Sequence, residues 1–301
     1  MKRINEIINR YFGVILLLAS LTALLIPELH VDINLVIMLA LGFIIFISFF
    51  KVNIDKDLFV GQIQTVSVFF LFRFVIIPVV VFYITGIFSM YYAIVMFLLL
   101  LMPAAVSSPA FANMFDGNIG LALKILVISS FFSIFSVPFL SRVVLSRNTE
   151  INTTQMFLTM VYTIVVPFLL HLPFRRSNVI KKVFTANSPL LTITGLIAIY
   201  VVATVKNREM ILQDPLRMIL YFIIALAVFI ILYLLGFYGV KNKPVADRFS
   251  YSICSGANNV GLGVTITALF FSQEINLFFI VCQLAWIAAL IPIRYFFYRQ
   301  G

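Results

Sequence analysis

The chain has 301 residues, 63% of them hydrophobic and 11% charged, with a mean hydropathy of +1.13. Soluble domains carry about a quarter charged residues, so the composition excludes a soluble domain and marks an all-α polytopic membrane protein. The net charge of +10 gives no reason to expect nucleic acid, because the basic residues lie mostly in short loops and read as topology signals.

The start, "MKRINEIINRYFGVILLLASLTALLIPE", combines a basic head with an apolar run. It lacks an A-x-A-like cleavage site and is followed by many more apolar runs, so it reads as a retained first helix. A helix crossing the hydrocarbon core needs about 20 apolar residues. The pattern predicts ten such spans, at 11–28, 33–51, 63–85, 90–115, 118–141, 152–174, 188–205, 217–240, 248–272 and 276–297. With the N-terminus inside, fourteen Lys and Arg residues fall on inner segments and five on outer loops. The positive-inside rule then puts both termini in the cytoplasm of a multi-pass cell membrane protein. The remaining two cations, Arg73 and Lys124, lie within spans.

Two spans are interrupted. Span four contains "MPAAVSSPAFANMFDGN", where Pro103 and Pro109 bracket a small polar segment with Ser107 and Ser108. A proline inside a helix removes a backbone hydrogen bond and clashes with the preceding turn, so a break is expected there. Span nine contains "SICSGANNVGLGVT", with Cys254, Ser255, Gly256, Asn258, Asn259, Gly261 and Gly263. Those glycines serve either to loosen the helix or to let two helices approach. Adjacent asparagines point in different directions around a helix, which one packing face does not explain. Ten spans divide into five plus five, so the breaks occupy corresponding positions in residues 1–147 and 148–301. An odd-sized repeat inserts in opposite senses, and matched breaks in two inverted halves point to a transporter binding site. "NIGLALKI" from Asn118 and "NVGLGVTI" from Asn259 are alike but not equivalent in the repeat, and the likeness reads as coincidence.

Other chemistries find little support. Cys254 and Cys282 sit in apolar runs, and His30 and His171 are far apart, so neither a disulfide framework nor metal-ligand spacing is present. His171, near a span end, reads as interfacial. An enzyme would need a nucleophile with its base, a carboxylate pair or a metal cluster, and the pattern offers none. A passive channel would call for a charged ring that is not evident. No cofactor is implied, and nothing in the pattern specifies an oligomer.

With ten spans, a Pro-then-small-residue break in span four and "GANNVGLG" in span nine, the chain resembles the bile acid:sodium symporter family along essentially its whole length. Auxin efflux carriers share a related inverted architecture. The resemblance implies a panel of spans one, two, six and seven and a core of the others, with substrate bound between them near the crossing of the two broken spans. It implies a small organic anion as cargo, with membrane lipid as the surrounding partner. Asn34, Ser48, Tyr162, Thr163 and Thr194 are the panel's polar candidates for the pocket.

Family members often hold two sodium ions in the core, and here the matched positions depart from that pattern. Ser108 keeps a hydroxyl, but Pro109 stands at a usual asparagine, and Ala122 and Leu126 stand at usual hydroxyl positions. Cys254 falls where the family's shared sodium carboxylate would be. Asn258 replaces a glutamine, Asn259 keeps an asparagine, and Arg73 falls at the span-three glutamine. Oxygens are lost and cations gained, so Arg73 and Lys124 are expected to replace the sodium ions. Sodium coupling is then in doubt, with a proton as the other candidate coupling ion. A conventional sodium symporter and an auxin-efflux-like carrier are the alternatives within the class.

Overall fold

In lipid every backbone polar group must be satisfied within the protein, and an apolar chain of this kind meets that demand with helices. The computed structural model describes residues 2–27, 29–50, 63–146 and 151–298. Among these residues the regular elements are helices, joined at one point by an isolated β-bridge. In chain order they are α1 (Lys2–Ala23), α2 (Ile33–Phe49), α3 (Ile63–Leu71), α4 (Ile77–Gly86), α5 (Met90–Leu101), α6 (Ser108–Met114) and α7 (Ile119–Leu145). There follow α8 (Thr153–Met160), α9 (Val166–Phe174), α10 (Asn178–Lys206), α11 (Arg208–Gln213), α12 (Pro215–Tyr238), α13 (Val245–Gly256), α14 (Val260–Phe270) and α15 (Gln273–Tyr298).

Among the described residues six continuous helical stretches are long and apolar enough to cross a membrane, and shorter apolar helices accompany them. The chain is therefore an integral multi-pass membrane protein. Several basic residues of the topology count, Lys51, Lys56, Arg147 and Arg299, lie outside the described residues, as does the expected repeat boundary at 147/148.

Two of the long stretches contain a widened π turn, at Phe72–Ile76 between α3 and α4 and at Val161–Val165 between α8 and α9. Each is followed by Pro78 or Pro167 in the first turn of the next helix. A proline offers no N–H and crowds the carbonyl four residues back. In the π turn the hydrogen bond skips to the fifth residue, as Ile77 N–H to Phe72 O and Val166 N–H to Val161 O, and the proline is accommodated without a break.

Helix packing sorts the elements into two groups. On one side α10 packs along α1 and α2, and α2 packs on α9 and its preceding π turn. On the other, α12 packs on α13 and α15, α4 on α5, and both α6 and α13 on α7. The groups meet where α2 touches α14, α7 touches α8 and α1 touches α15.

Both expected breaks exist, with shifted edges. The first covers residues 102–107, so Ser108 and Pro109 already belong to α6. The second covers residues 257–259, so Gly261 and Gly263 lie inside α14 rather than loosening it. The likeness of Asn118 and Asn259 has a physical cause after all. Each is the N-cap of a helix, its side chain accepting the N–H of Leu121 or Leu262 at 3.0 Å.

Two of the span-nine glycines are spacers. A β-carbon at Gly256 would fall inside van der Waals contact with the Tyr233 ring, and one at Gly263 inside contact with the Phe279 ring. At Gly261 the nearest atom would be an ordinary 3.7 Å away. Overpacking of this kind costs about 1–3 kcal/mol. Gly256→Ala and Gly263→Ala are therefore expected to lower the melting temperature of the detergent-solubilised protein, while Gly261→Ala leaves it unchanged or raises it. Thermal unfolding of the three variants checks this.

Candidate functional site

Breaking two helices inside a membrane strands backbone groups that need partners. After Leu101 the chain turns extended at Met102, and after Gly256 it turns extended at Ala257. The two extended stretches cross antiparallel and satisfy each other. Ala105 N–H donates to Ala257 O at 2.6 Å, Asn259 N–H donates to Pro103 O at 2.7 Å, and Ala104 faces Asn258 in the bridge. Ser129 on α7 accepts the Ala104 N–H at 3.3 Å. The Asn258 amide donates to Leu99 O at 2.6 Å, tying the second break to the end of α5.

The carbonyls at the ends of α5 and α13 converge on one side chain. Arg73 projects from the π turn and is 2% exposed. Its Nε donates to Ser255 O at 2.9 Å and Ser255 Oγ at 3.1 Å. Nη1 donates to Leu100 O at 2.9 Å, and Nη2 to Ser255 O at 2.7 Å and Asn258 Oδ1 at 2.8 Å. A helix carries roughly half a negative charge at its C-terminus, so two such ends together match one guanidinium charge. The charge is thus neutralised without a carboxylate, and the planar fork of Arg reaches acceptors that a point charge could not serve at once.

Other candidates gather nearby. Cys254 is fully buried on the last turn of α13, its thiol donating to Ala122 O at 3.7 Å, with the Ser108 hydroxyl beside it. Ser107 is the N-cap residue of α6 without a side-chain capping bond, and Pro109 lies in that helix's first turn. Lys124 lies half-buried on α7. The bonds to the ends of α5 and α13 described above come from Arg73.

A small cavity of about 30 Å³ lies where the two packing groups meet. Ile45, Ser48 and Phe49 of α2 and Ile164 of the second π turn line one side; Pro103, Val106, Leu126, Ser130 and Asn259 line the other. That volume admits about one water, so the cleft is closed. Of the panel's polar candidates, Ser48 lines it. Thr163 and Thr194 instead bond back to Thr159 O and Leu190 O, Asn34 accepts from Lys206, and Tyr162 is exposed.

The structure also places His171. It is 2% exposed, packed edge-on against Phe50 at 4.6 Å and tilted against Phe49, and so is buried within the protein near the end of α9. Sequence reasoning also missed Ser129 and Ser130. Only the path of the first break gives them a role. The π turn that aims Arg73 had a signal in Pro78, five residues on.

The family model described as "Sodium Bile acid symporter family" matches residues 38–214. The chain belongs to the sodium bile acid symporter family. No curated protein matches it. The match includes Arg73, the first break and α7, and it ends before the second break at 257–259. Sodium bile acid symporter family members are transporters rather than enzymes, so the crossing belongs to a symporter-like carrier.

Removing the guanidinium strands four buried acceptors, each costing about 1–3 kcal/mol when unmet. Arg73→Gln is expected to destabilise the protein strongly, and Asn258→Ala less. The pair should couple by about 0.5–3 kcal/mol, as directly bonded residues do. A double-mutant cycle on detergent unfolding midpoints checks this, and additive effects would contradict the bonding described.

Proposed function

We propose that the protein is a secondary active transporter of a small organic anion in which fixed cations take the place of sodium ions. The observation that carries this reading is the Arg73 guanidinium, bonded to the carbonyl ends of both broken helices and to Asn258. In the family pattern those oxygens are the kind that sodium would use. A sodium ion entering the same place would meet a buried positive charge, and Cys254 supplies a thiol where a carboxylate would be needed.

The ten expected spans form two inverted five-span repeats, 1–147 and 148–301, with both termini cytoplasmic. The two packing groups support a panel of α1, α2, α8–α9 and α10 against a core of the remaining long helices. Cargo binds in the cleft between Ser48 on the panel side and Ser130 and Asn259 on the core side. Asn259 caps α14, whose N-terminus carries partial positive charge and suits an anionic group. The cleft must open by movement of α2 and the Val161–Val165 turn away from the breaks, because its present volume excludes an organic anion.

Lys124, on the same helix as Ala122, is the second cation of the proposal. With sodium excluded by the fixed charges, a proton is the remaining candidate coupling ion. Uptake of organic anions into proteoliposomes is expected to persist when sodium is replaced by choline and to respond to an imposed pH gradient. Strong, saturable sodium dependence would overturn the substitution. Cys254→Glu combined with Lys124→Ser is expected to make uptake sodium-sensitive.

A further inference from the structure

A larger cleft of about 870 Å³ opens on a different side of the crossing. One wall is α3 and the first π turn, with Val68 and Phe72; the other is α12, with Leu235. Arg73 and Ser255 border it, and Lys241, Asn242 and Lys243 stand together in the turn after α12. Val68, Phe72 and Leu235 are all exposed large apolar side chains, so the walls face the surrounding hydrocarbon rather than the cargo cavity. Among the described residues no Asp or Glu borders the cleft. Asp247, the carboxylate closest in sequence to the two lysines, is buried and accepts the Asn118 amide at 2.8 Å. Arg248 adds a third positive charge at this end, its guanidinium stacked 3.8 Å over the Phe237 ring.

We propose that this cleft is a binding site for an anionic phospholipid, with the headgroup on Lys241 and Lys243 and an acyl chain between α3 and α12. Charge complementarity selects the occupant. An apolar groove open to lipid will take any acyl chain, but a basic end whose described lining holds Lys241 and Lys243 and no carboxylate distinguishes phosphate diesters that carry net negative charge from zwitterionic ones. Basic pockets between membrane helices bind acidic headgroups by this logic. The occupied cleft sits against the π turn that carries Arg73, so a bound lipid would brace the turn from its outer side.

The test uses delipidated full-length protein in detergent, offered dioleoyl-phosphatidylglycerol and dioleoyl-phosphatidylcholine in equal amounts, with retained lipid counted by native mass spectrometry. Phosphatidylglycerol should be retained in preference. Lysines near a membrane surface contribute about fivefold each, so Lys241→Gln with Lys243→Gln should weaken retention about 25-fold. Leu235→Trp, which fills the groove and keeps both charges, should also weaken it. Lys181→Gln with Lys182→Gln, a basic pair at the start of α10, should leave it unchanged. Equal retention of the two lipids, equal loss on changing either lysine pair, or full competition by free glycerol phosphate would each overturn the proposal. The readout is binding alone, so it stands or falls independently of any transport assay.

Discussion

The bonds from Arg73 to the ends of two interrupted helices are the constraint on which the structure turns. A helix that stops inside a membrane leaves as many as four carbonyls without intrahelical partners. Here two helices, α5 and α13, stop at the same place with their negative ends converging. Without a cation between them, two half-charges of like sign would face each other in a medium of low dielectric. A buried guanidinium alone would be equally unfavourable at that depth. Each is tolerable because the other is present, and the extended crossing at Ala104 and Asn258 holds the distances that make it so.

The geometry also separates two electrical environments. The C-terminal ends of α5 and α13 face Arg73, which borders the wide cleft near α12. The N-terminal end of α14, capped by Asn259, faces the small cavity lined by α2. One crossing thus presents two carbonyl ends bonded to a guanidinium on one side and a positively polarised helix end on the other. The two environments follow from the path of the backbone, because helix dipoles depend on backbone direction and not on side chains.

Much of this was legible in the sequence, for identifiable reasons. Pro103 and the asparagine pair 258–259 announce breaks through covalent facts, a missing N–H and polar amides where lipid offers no partner. Arg73 stood out because a charge about ten residues from either end of an apolar run has no cheap explanation. The glycines were ambiguous, since the same residue loosens a helix or admits a neighbour's ring, and only the positions of Tyr233 and Phe279 decide which. Ser129, Ser130 and the burial of His171 could not be read at all. Their roles depend on which elements, distant in sequence, pack against α7 and α9, and local pattern carries no record of that.

A resident cation has a consequence for energetics that a bound ion does not. Sodium taken from one side and released on the other contributes its gradient to every cycle, and its charge offsets that of an anionic cargo. A guanidinium fixed to the chain can do neither. It stabilises the crossing identically at the start and end of the cycle, so it supplies no driving force. If Arg73 is the resident cation, the cargo's own charge crosses uncompensated unless a proton moves with it. Arg73, bonded to the ends of α5 and α13, suits the task of holding the fold, and the proposed function leaves the task of driving the cycle to another ion.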